Sequence, residues 1–363
     1  MKIALTYSSK KGLLKEFKTR NSLVSEDSSV SEDMFAEGDS PKTIQAILKS
    51  LRDLGHEAVG IEVDHQVLKR LANVHPDLVF NVAEGLYGDF RESYVPMICE
   101  RLGLPYTGSG PLTLGICLNK VRTKEVLGFH HIPTAPFQVI YPDDQISVFR
   151  SLFPAIIKPI SEGSSKGIFN DSVINNNQMA IEKIREMMNK YEQPVLIEKF
   201  LEGDEYTVAM WGNGNSLEVL PIVAIQYKDL PEGAMPIYSY EAKWIWDTPE
   251  KPLNIFQCPA DLPFVKEVQI TKLAIKTWRI LGIQDWCRID IRMDREGVPH
   301  ILEVNPLPGI LPNPEDNSCF PKAARTAGYT YEAMLNKVIK IACSRAGISN
   351  GYIQKKTTTS HHL

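Results

Sequence analysis

The sequence predicts an α/β protein of more than one domain, and three observations predict it. The chain has 363 residues, enough for two to three cores at roughly 150 residues each. Short apolar runs of strand length alternate with segments whose apolar residues recur at helical spacing. Turn and cap residues mark the boundaries between them, beginning with Ser40-Pro41 before a helical pattern and Gly55 after it.

Composition narrows the class further. Apolar residues make up 43% and charged residues 23%, ordinary values for a globular chain. Lys plus Arg is 40 against 44 Asp plus Glu, a net charge of −4, which argues against a nucleic-acid partner held by a large basic face. No apolar run approaches the ~18 residues of a membrane span. Met1 to Leu5 reads straight into a strand without a signal-peptide pattern, so a cytoplasmic protein is expected. Cys99, Cys117, Cys258, Cys287, Cys319 and Cys343 stand singly with no CxxC, which indicates neither a disulfide framework nor a zinc site.

In order along the chain, a first unit, 1–110, carries strands at Ile3–Tyr7, Ala58–Val63 and Leu78–Val82. A helix with Ile44, Ile47, Leu48, Leu51 and Leu54 on one face lies between the first two. Strands separated by a helix read as a small doubly wound parallel sheet. The polar stretch Ser8 to Ser40, with its Ser-Glu-Asp triplets at 25–27 and 31–33, is read as a solvated loop in preference to a binding segment. A second unit, 111–194, has a helical stretch through Asn119-Lys120, strands at Ala135–Ile140 and Ala155–Ile160, a Gly/Ser loop and a helix at Met179–Tyr191. A third unit, 195–350, opens with strands Val195–Leu201 and Tyr206–Trp211 and returns through Leu217–Tyr227. An irregular segment at 228–262 interrupts it, before helix Phe264–Leu281, hairpin Trp286–Val304 and a helix from Tyr331. A frayed tail, 351–363, ends the chain, and its His361-His362 pair reads as surface histidine rather than a metal site.

The hairpin carries the most chemistry. Side chains two apart on a strand share a face, so Arg288 and Asp290 lie together, as do Glu303 and Asn305. With a two-residue turn the two pairs fall opposite or near each other, all on one face; a one-residue slip separates them. Three oxygen ligands beside one guanidinium suit Mg²⁺, which also takes waters and phosphate oxygens. A solvated face with a surface ion pair fits the same pattern, and from this segment alone both readings stay open. Gly309, in Pro306-Leu-Pro-Gly309, lets a backbone amide approach a ligand, although a plain turn explains it as well.

Lys158-Pro-Ile-Ser-Glu-Gly-Ser-Ser-Lys-Gly167 delivers a lysine on a strand into a loop rich in amide and hydroxyl donors. Such a loop can fold over phosphates, with Lys166 adding charge, but it lacks the P-loop pattern, and a lone Gly/Ser tip is commonly just a turn. In Val195-Leu-Ile-Glu-Lys-Phe-Leu-Glu-Gly-Asp-Glu205, adjacent Glu198 and Lys199 face opposite ways, their backbone can pair with a purine edge, and Glu205 can accept from ribose hydroxyls. Each of these carboxylates reads equally as a surface group.

As an ordered set, the segments resemble the ATP-grasp superfamily and, within it, the D-alanine–D-alanine ligase family, over roughly 78–342. The resemblance rests on Leu104-Pro-Tyr-Thr-Gly-Ser109, Asn119-Lys120, Lys158-Pro with Glu162-Gly-Ser-Ser165, Glu198-Lys-Phe, Tyr240-Glu-Ala-Lys243, Arg288-Ile-Asp290, Glu303-Val-Asn-Pro-Leu-Pro-Gly309 and Ser318. It implies a three-domain ATP-grasp fold that sandwiches ATP between its central and C-terminal domains. The activity it implies is an ATP-dependent carboxylate–amine ligase that forms an amide through an acyl phosphate. It further implies Lys120 and Lys158 on phosphates, Ser164, Ser165 and Lys166 in a covering loop, Glu198, Lys199 and Phe200 at adenine, and Glu205 at ribose. Asp290, Glu303 and Asn305 are implied to bind two Mg²⁺, for which Mn²⁺ can substitute. Arg288 and Gly309 are implied to stabilise the tetrahedral intermediate, Ser318 to hold the acceptor carboxylate, and Lys243 to sit in a mobile lid. The partners implied are small carboxylates and amines, neither nucleic acid nor membrane, with a homodimer allowed.

The sequence departs from the family at the first-substrate pocket. The family's early glycine-rich loop, whose Glu orients the first amino acid, is read as having no counterpart. Glu84 and Arg91 occupy a remodelled loop, and the lid tyrosine after Lys243 becomes Trp244. Glu84 is expected to accept from a substrate ammonium and Arg91 to grip a carboxylate, unless they pair with each other or with Glu92. The expectation is a related ligase acting on different acids. A peptidoglycan D-alanine ligase, an ATP-grasp kinase and a nucleotide-binding protein without turnover are the alternatives.

Overall fold

Among the described residues, burial of apolar strands against amphipathic helices produces three sheets. The computed structural model describes residues 1–20, 33–142, 144–247 and 251–348. The triplet at 25–27, the start of the second triplet and His361-His362 lie outside the described residues. In the first unit, β1 (Lys2–Tyr7), α1 (Lys10–Arg20), α2 (Pro41–Asp53), β2 (Glu57–Glu62), α3 (Val67–Val74), β3 (Leu78–Asn81) and α4 (Tyr94–Leu102) follow one another. The strands form a parallel sheet in the order β2-β1-β3, with Ile3 opposite both Ala58 and Leu78. Central β1 is apolar and buried throughout its middle, as a parallel strand covered on both faces must be. Helix α2 starts where expected: the Ser40 hydroxyl accepts from the Thr43 amide at 3.1 Å and Pro41 takes the first turn. Its buried stripe is Ile44, Ile47, Leu48 and Leu51.

The second unit comprises α5 (Pro111–Leu118), α6 (Lys120–Phe129), β4 (Phe137–Ile140), β5 (Ala155–Pro159), β6 (Val173–Ile174), α7 (Asn177–Tyr191) and β7 (Val195–Lys199). Its sheet runs β4-β7-β5-β6. This corrects the reading of β7 as the first strand of the third unit. Val195 and Ile197 pack with Ile157 against Ile184 and Met187 of α7, so the strand is committed to this sheet.

The third unit comprises β8 (Glu205–Gly212), β9 (Glu218–Val219), β10 (Val223–Ile225), β11 (Phe256–Gln257), α8 (Phe264–Leu281), β12 (Asp285–Met293), β13 (Pro299–Asn305), α9 (Cys319–Thr326) and α10 (Tyr331–Arg345). The antiparallel order is β11-β10-β8-β12-β13, with β9 pairing β8. On β12, Cys287, Ile289, Ile291 and Met293 enter the core under α8, beside Val208 and Met210 of β8. Period-two alternation therefore turns Arg288, Asp290 and Arg292 to the other face.

A single core joins the first and third units: Phe80 of β3 meets Trp286 edge-on at 5.7 Å, and Trp286 meets Phe320 of α9 at 5.5 Å. Beside it, fully buried Asp285 accepts from the Gly108 amide at 2.8 Å, Asn213 at 2.8 Å and Arg345 at 2.8 Å. All six cysteines are free thiols. Among the described residues, no helix is long and apolar enough to cross a membrane.

The polar stretch after β1 differs from the solvated loop expected. Residues 10–20 form α1, and the turn at 33–39 packs into the protein with Asp33 and Glu37 buried. Their carboxylates are buried because backbone amides and cations of the second unit, joined at Glu37 by Arg91 of the first, surround them.

Candidate active site

A cavity of about 290 Å³ lies between the second and third sheets. Alternation again selects its walls. On β5, Ile157 faces α7, so Ile156 and Lys158 face the cavity; β12 contributes Arg288, Asp290 and Arg292.

The hairpin register brings Arg288 opposite Asn305 and Asp290 opposite Glu303, which puts the four on the one face expected. It does so by a different route. The ladder slips by one residue at Asp290/Ile291, leaving Leu302 as an extra residue on β13, and Leu302 lines the cavity with Glu303. Without this bulge Asp290 would face Leu302 and the polar pairs would part. Asp290 accepts from the Thr207 hydroxyl at 2.6 Å, Arg288 Nη2 at 3.0 Å and Asn305 Nδ2 at 3.1 Å. Glu303 pairs with Lys120 at 2.7 Å; burial alone would raise its carboxyl, but the ammonium holds it below the usual range.

Glu198 is fully buried between Lys158 and Lys124, the latter one helical turn after Lys120 on α6. Burial would raise its carboxyl, yet the two ammonium groups bring it down to about 2. The Glu198 carboxylate thus anchors Lys158, while Lys199, Phe200 and Leu201 carry the strand's end along the cavity. Glu205 accepts from Tyr227 at 2.7 Å and Arg292 at 2.8 Å, and the guanidinium lies 4.7 Å over the Phe200 ring.

Ser164 and Ser165 both adopt left-handed backbone and line the cavity. Lys166 does not: it turns behind the loop to Glu162 and Glu37, which corrects its expected place at the phosphates. The segment expected to be a lid lies against this loop. Ser165 donates to the Tyr238 carbonyl at 2.8 Å, and the Trp244 indole to the Ser164 carbonyl at 3.2 Å. Ala242–Trp246 forms a π-helical turn there. Burial and the nearby Arg288 push the Lys243 ammonium's pKa down. Gly309 lies in the same wall as Arg288, and its carbonyl accepts from Ser318 at 3.2 Å.

One expectation at the first-substrate end is corrected. Arg91 is committed to Glu37 at 2.8 Å and to the Glu84 and Ser161 carbonyls, so its guanidinium is not available for a substrate carboxylate. Glu37, from the polar stretch expected to be a solvated loop, lines the cavity beside Glu84. Carboxylate oxygens of Glu37, Glu84 and Glu92 lie within 4.8 Å of one another. Burial, with Glu37 and Glu92 nearby, raises the Glu84 carboxyl well above its usual range. Arg292 and Lys124 were readable from spacing, two residues beyond Asp290 on a strand and four beyond Lys120 on a helix. Glu37 had no such signal, because its partners Arg91, Gly163 and Lys166 all lie far along the chain.

A family model described as the D-ala D-ala ligase C-terminus matches residues 130–340. The chain belongs to the D-alanine–D-alanine ligase family. It is 32% identical over 298 residues to a D-alanine–D-alanine ligase of Cupriavidus pinatubonensis, covering 82% of this chain and 85% of that one. An uncharacterised protein of Sinorhizobium fredii is 31% identical over 309 residues, covering 83% and 87%. The fold matches a crystal structure of the Bacillus anthracis D-alanine–D-alanine ligase complexed with ATP, with a TM-score of 0.68, 22% identity and coverage of 96% and 99%. As a family member the chain is a divergent ATP-grasp protein, an ATP-dependent ligase that forms C–N bonds between a carboxylate and an amine.

Proposed function

We propose that this ligase activates an amino-acid or peptide carboxylate as an acyl phosphate, joins it to the amine of a second small substrate, and takes a donor other than D-alanine. One observation carries the reading. Lys120, Lys158 and the Ser164–Ser165 loop face Asp290 and Glu303 across one cavity, with Arg288 and Gly309 beside them.

A carboxylate is a poor acyl donor because oxide would have to leave; phosphate leaves readily. Phosphoryl transfer needs positioning and charge neutralisation, which Lys120 and Lys158 supply. Asp290, Glu303 and the Asn305 amide are hard oxygen donors on one wall, and both carboxylates already attract a cation, Arg288 or Lys120. They fit Mg²⁺, which when bound neutralises the phosphates further. Glu205, oriented by Tyr227 and Arg292, accepts from ribose hydroxyls, and the backbone at Lys199–Leu201 meets the base. Arg288 and the Gly309 amide stabilise the oxyanion as the amine attacks. Ser318 meets the acceptor carboxylate, and the lid carrying Lys243 and Trp244 keeps water from the acyl phosphate.

Glu37 and Glu84 accept from the donor ammonium, while Arg91 holds Glu37 in place. Replacing a tailored polar pocket costs an unsuited substrate far more than a missing methylene does. The test is ADP release from ATP and Mg²⁺ with amino acids and dipeptides supplied pairwise, with products weighed by mass spectrometry. Phosphate release that depends on an amine, with an amide product, supports the ligase reading; phosphate transferred to a hydroxyl would replace it with a kinase. Efficient synthesis of D-alanyl-D-alanine would overturn the altered donor and restore the peptidoglycan enzyme.

A further inference from the structure

The second Ser-Glu-Asp triplet ends on Asp33, whose side chain is completely buried although it comes from a markedly polar stretch. A buried carboxylate is costly unless donors and cations surround it. Here they come from the second unit. The Gly167 amide donates to Asp33 Oδ2 at 2.9 Å, the Tyr191 hydroxyl donates to the same oxygen, and the Lys190 ammonium lies 3.7 Å from Oδ1. Four residues on, Glu37 accepts from the Gly163 amide at 3.0 Å and pairs with Lys166 at 3.3 Å. One turn of the first unit therefore clasps both ends of the Gly/Ser loop. Its internal bonds, Ala36 amide to Asp33 carbonyl and Gly38 amide to Phe35 carbonyl, set the spacing of the two acids.

The loop needs such a clasp. Ser164 and Ser165 sit at φ of 50° and 62°, a conformation that costs a side-chain-bearing residue about 1–3 kcal/mol and persists only where surroundings over-determine it. Gly167 has φ 73°, and a Cβ there would stand 2.5 Å from the Pro159 ring, so the loop's end is wedged against β5. The loop's own bonds are two short turns, Lys166 amide to Gly163 carbonyl and Ile168 amide to Ser165 carbonyl. Asp33 itself does not line the cavity.

We propose that Asp33 is a positioning residue for nucleotide binding: from the first unit, it holds the Gly/Ser loop of the second in the shape that presents Ser164 and Ser165 to the phosphates. The inference rests on reading that loop as the phosphate cover. Glu37 both holds the loop and lines the cavity beside Glu84, whereas Asp33 holds the loop without lining the cavity, so its loss falls on ATP.

The test compares wild type, Asp33→Ala and Asp33→Asn as full-length proteins. Amide hydrogen exchange across 163–168, Mg²⁺–ATP affinity by calorimetry, and KM for each substrate are measured. Removing a buried charged acceptor is expected to speed exchange in the loop and weaken ATP binding about ten- to a hundred-fold, with KM for the amino-acid substrates changing far less. Asn keeps an acceptor for Gly167 and Tyr191, so it restores most of both. Should the Ala variant not fold, Tyr191→Phe, which removes one donor to Asp33, gives the same pattern more weakly. Unchanged loop exchange and ATP affinity in Asp33→Ala overturn the proposal. So does a uniform loss over all substrates that Asn fails to restore, since that describes a general folding defect. Exchange and affinity need no turnover, so they decide the role of Asp33 even where no amino-acid pair releases ADP, an outcome that counts against the ligase substrates instead.

Discussion

At Glu303 a single carboxylate pairs with Lys120, and its charge is separable from its shape. Glu303→Gln keeps the packing but removes the charge that faces Lys120 and the proposed Mg²⁺. Turnover is expected to fall by orders of magnitude while the melting temperature moves little. Near-normal turnover at saturating Mg²⁺ would remove Glu303 from the ligand set. Glu198 shows the opposite balance, structural first. Its carboxyl is held at about 2 against an ordinary 4.5, so the native state binds the proton less readily than the unfolded chain does. The stabilisation is complete above 4.5 and is lost as pH falls towards 2, at about 1.4 kcal/mol per unit of pKa difference. Glu37, held down to about 2 by Arg91 and Lys166 against its burial, adds in the same sense. Glu92, pushed up to about 7 by burial, acts oppositely, stabilising below 4.5 and losing that contribution as pH rises to 7. Denaturant unfolding from pH 6 down to pH 2 should therefore show a steep acid limb. Glu198→Gln should flatten that limb and lower stability at pH 7 by about 3 kcal/mol or more, because Lys124 and Lys158 are left buried without their anion.

At the scale of elements, the hairpin and the Gly/Ser loop each combine a regular pattern with one irregularity. The β12–β13 ladder needs the Leu302 bulge to keep Asp290 and Glu303 face to face, and the bulge also supplies an apolar side chain to the cavity. The loop needs Gly163 because Glu37 approaches it closely; a Cβ there would lie 2.5 Å from Glu37 Oε1. Gly163→Ala should displace a carboxylate that Arg91 already constrains, and overpacking of this kind raises the donor KM roughly ten-fold or more. Steady-state kinetics with donor and ATP varied separately would check this, an equal rise in both counting against it. Trp244 joins the segment proposed as a lid to the loop through its indole and is 37% exposed. Lid closure over nucleotide should alter its emission and slow proteolysis within 228–247; an unchanged spectrum and digestion pattern with ATP, Mg²⁺ and substrates would argue against a lid.

Across the whole molecule, Asp285 is the clasp between first and third units, as Asp33 is between first and second. Asp285→Ala strands the Gly108 amide, Asn213 and Arg345 together, so a loss of about 3 kcal/mol or more in unfolding free energy is expected. Denaturant titration measures it, and a loss under 1 kcal/mol would show that the Trp286–Phe320–Phe80 core carries the interface without it. The same distinction separates what was legible in the sequence from what was not. Helix α2 with its Ser40 cap, helix α8 at Phe264–Leu281, the parallel first sheet, and Arg288, Asp290, Glu303 and Asn305 on one face were readable, because cap chemistry and the periods of helix and strand are local properties. So was membership of the ligase family, through the order of its motifs. The sheet that claims β7, the bulge at Leu302, the engagement of Arg91 by Glu37, and the burial of Asp33 were decided only by tertiary structure. Each depends on a partner distant in the chain: 54 residues separate Glu37 from Arg91 and 134 separate Asp33 from Gly167. A polar stretch reads as solvated when its neighbours in sequence are polar; it is buried when the fold delivers amides and cations to neutralise it, and no local pattern records that delivery.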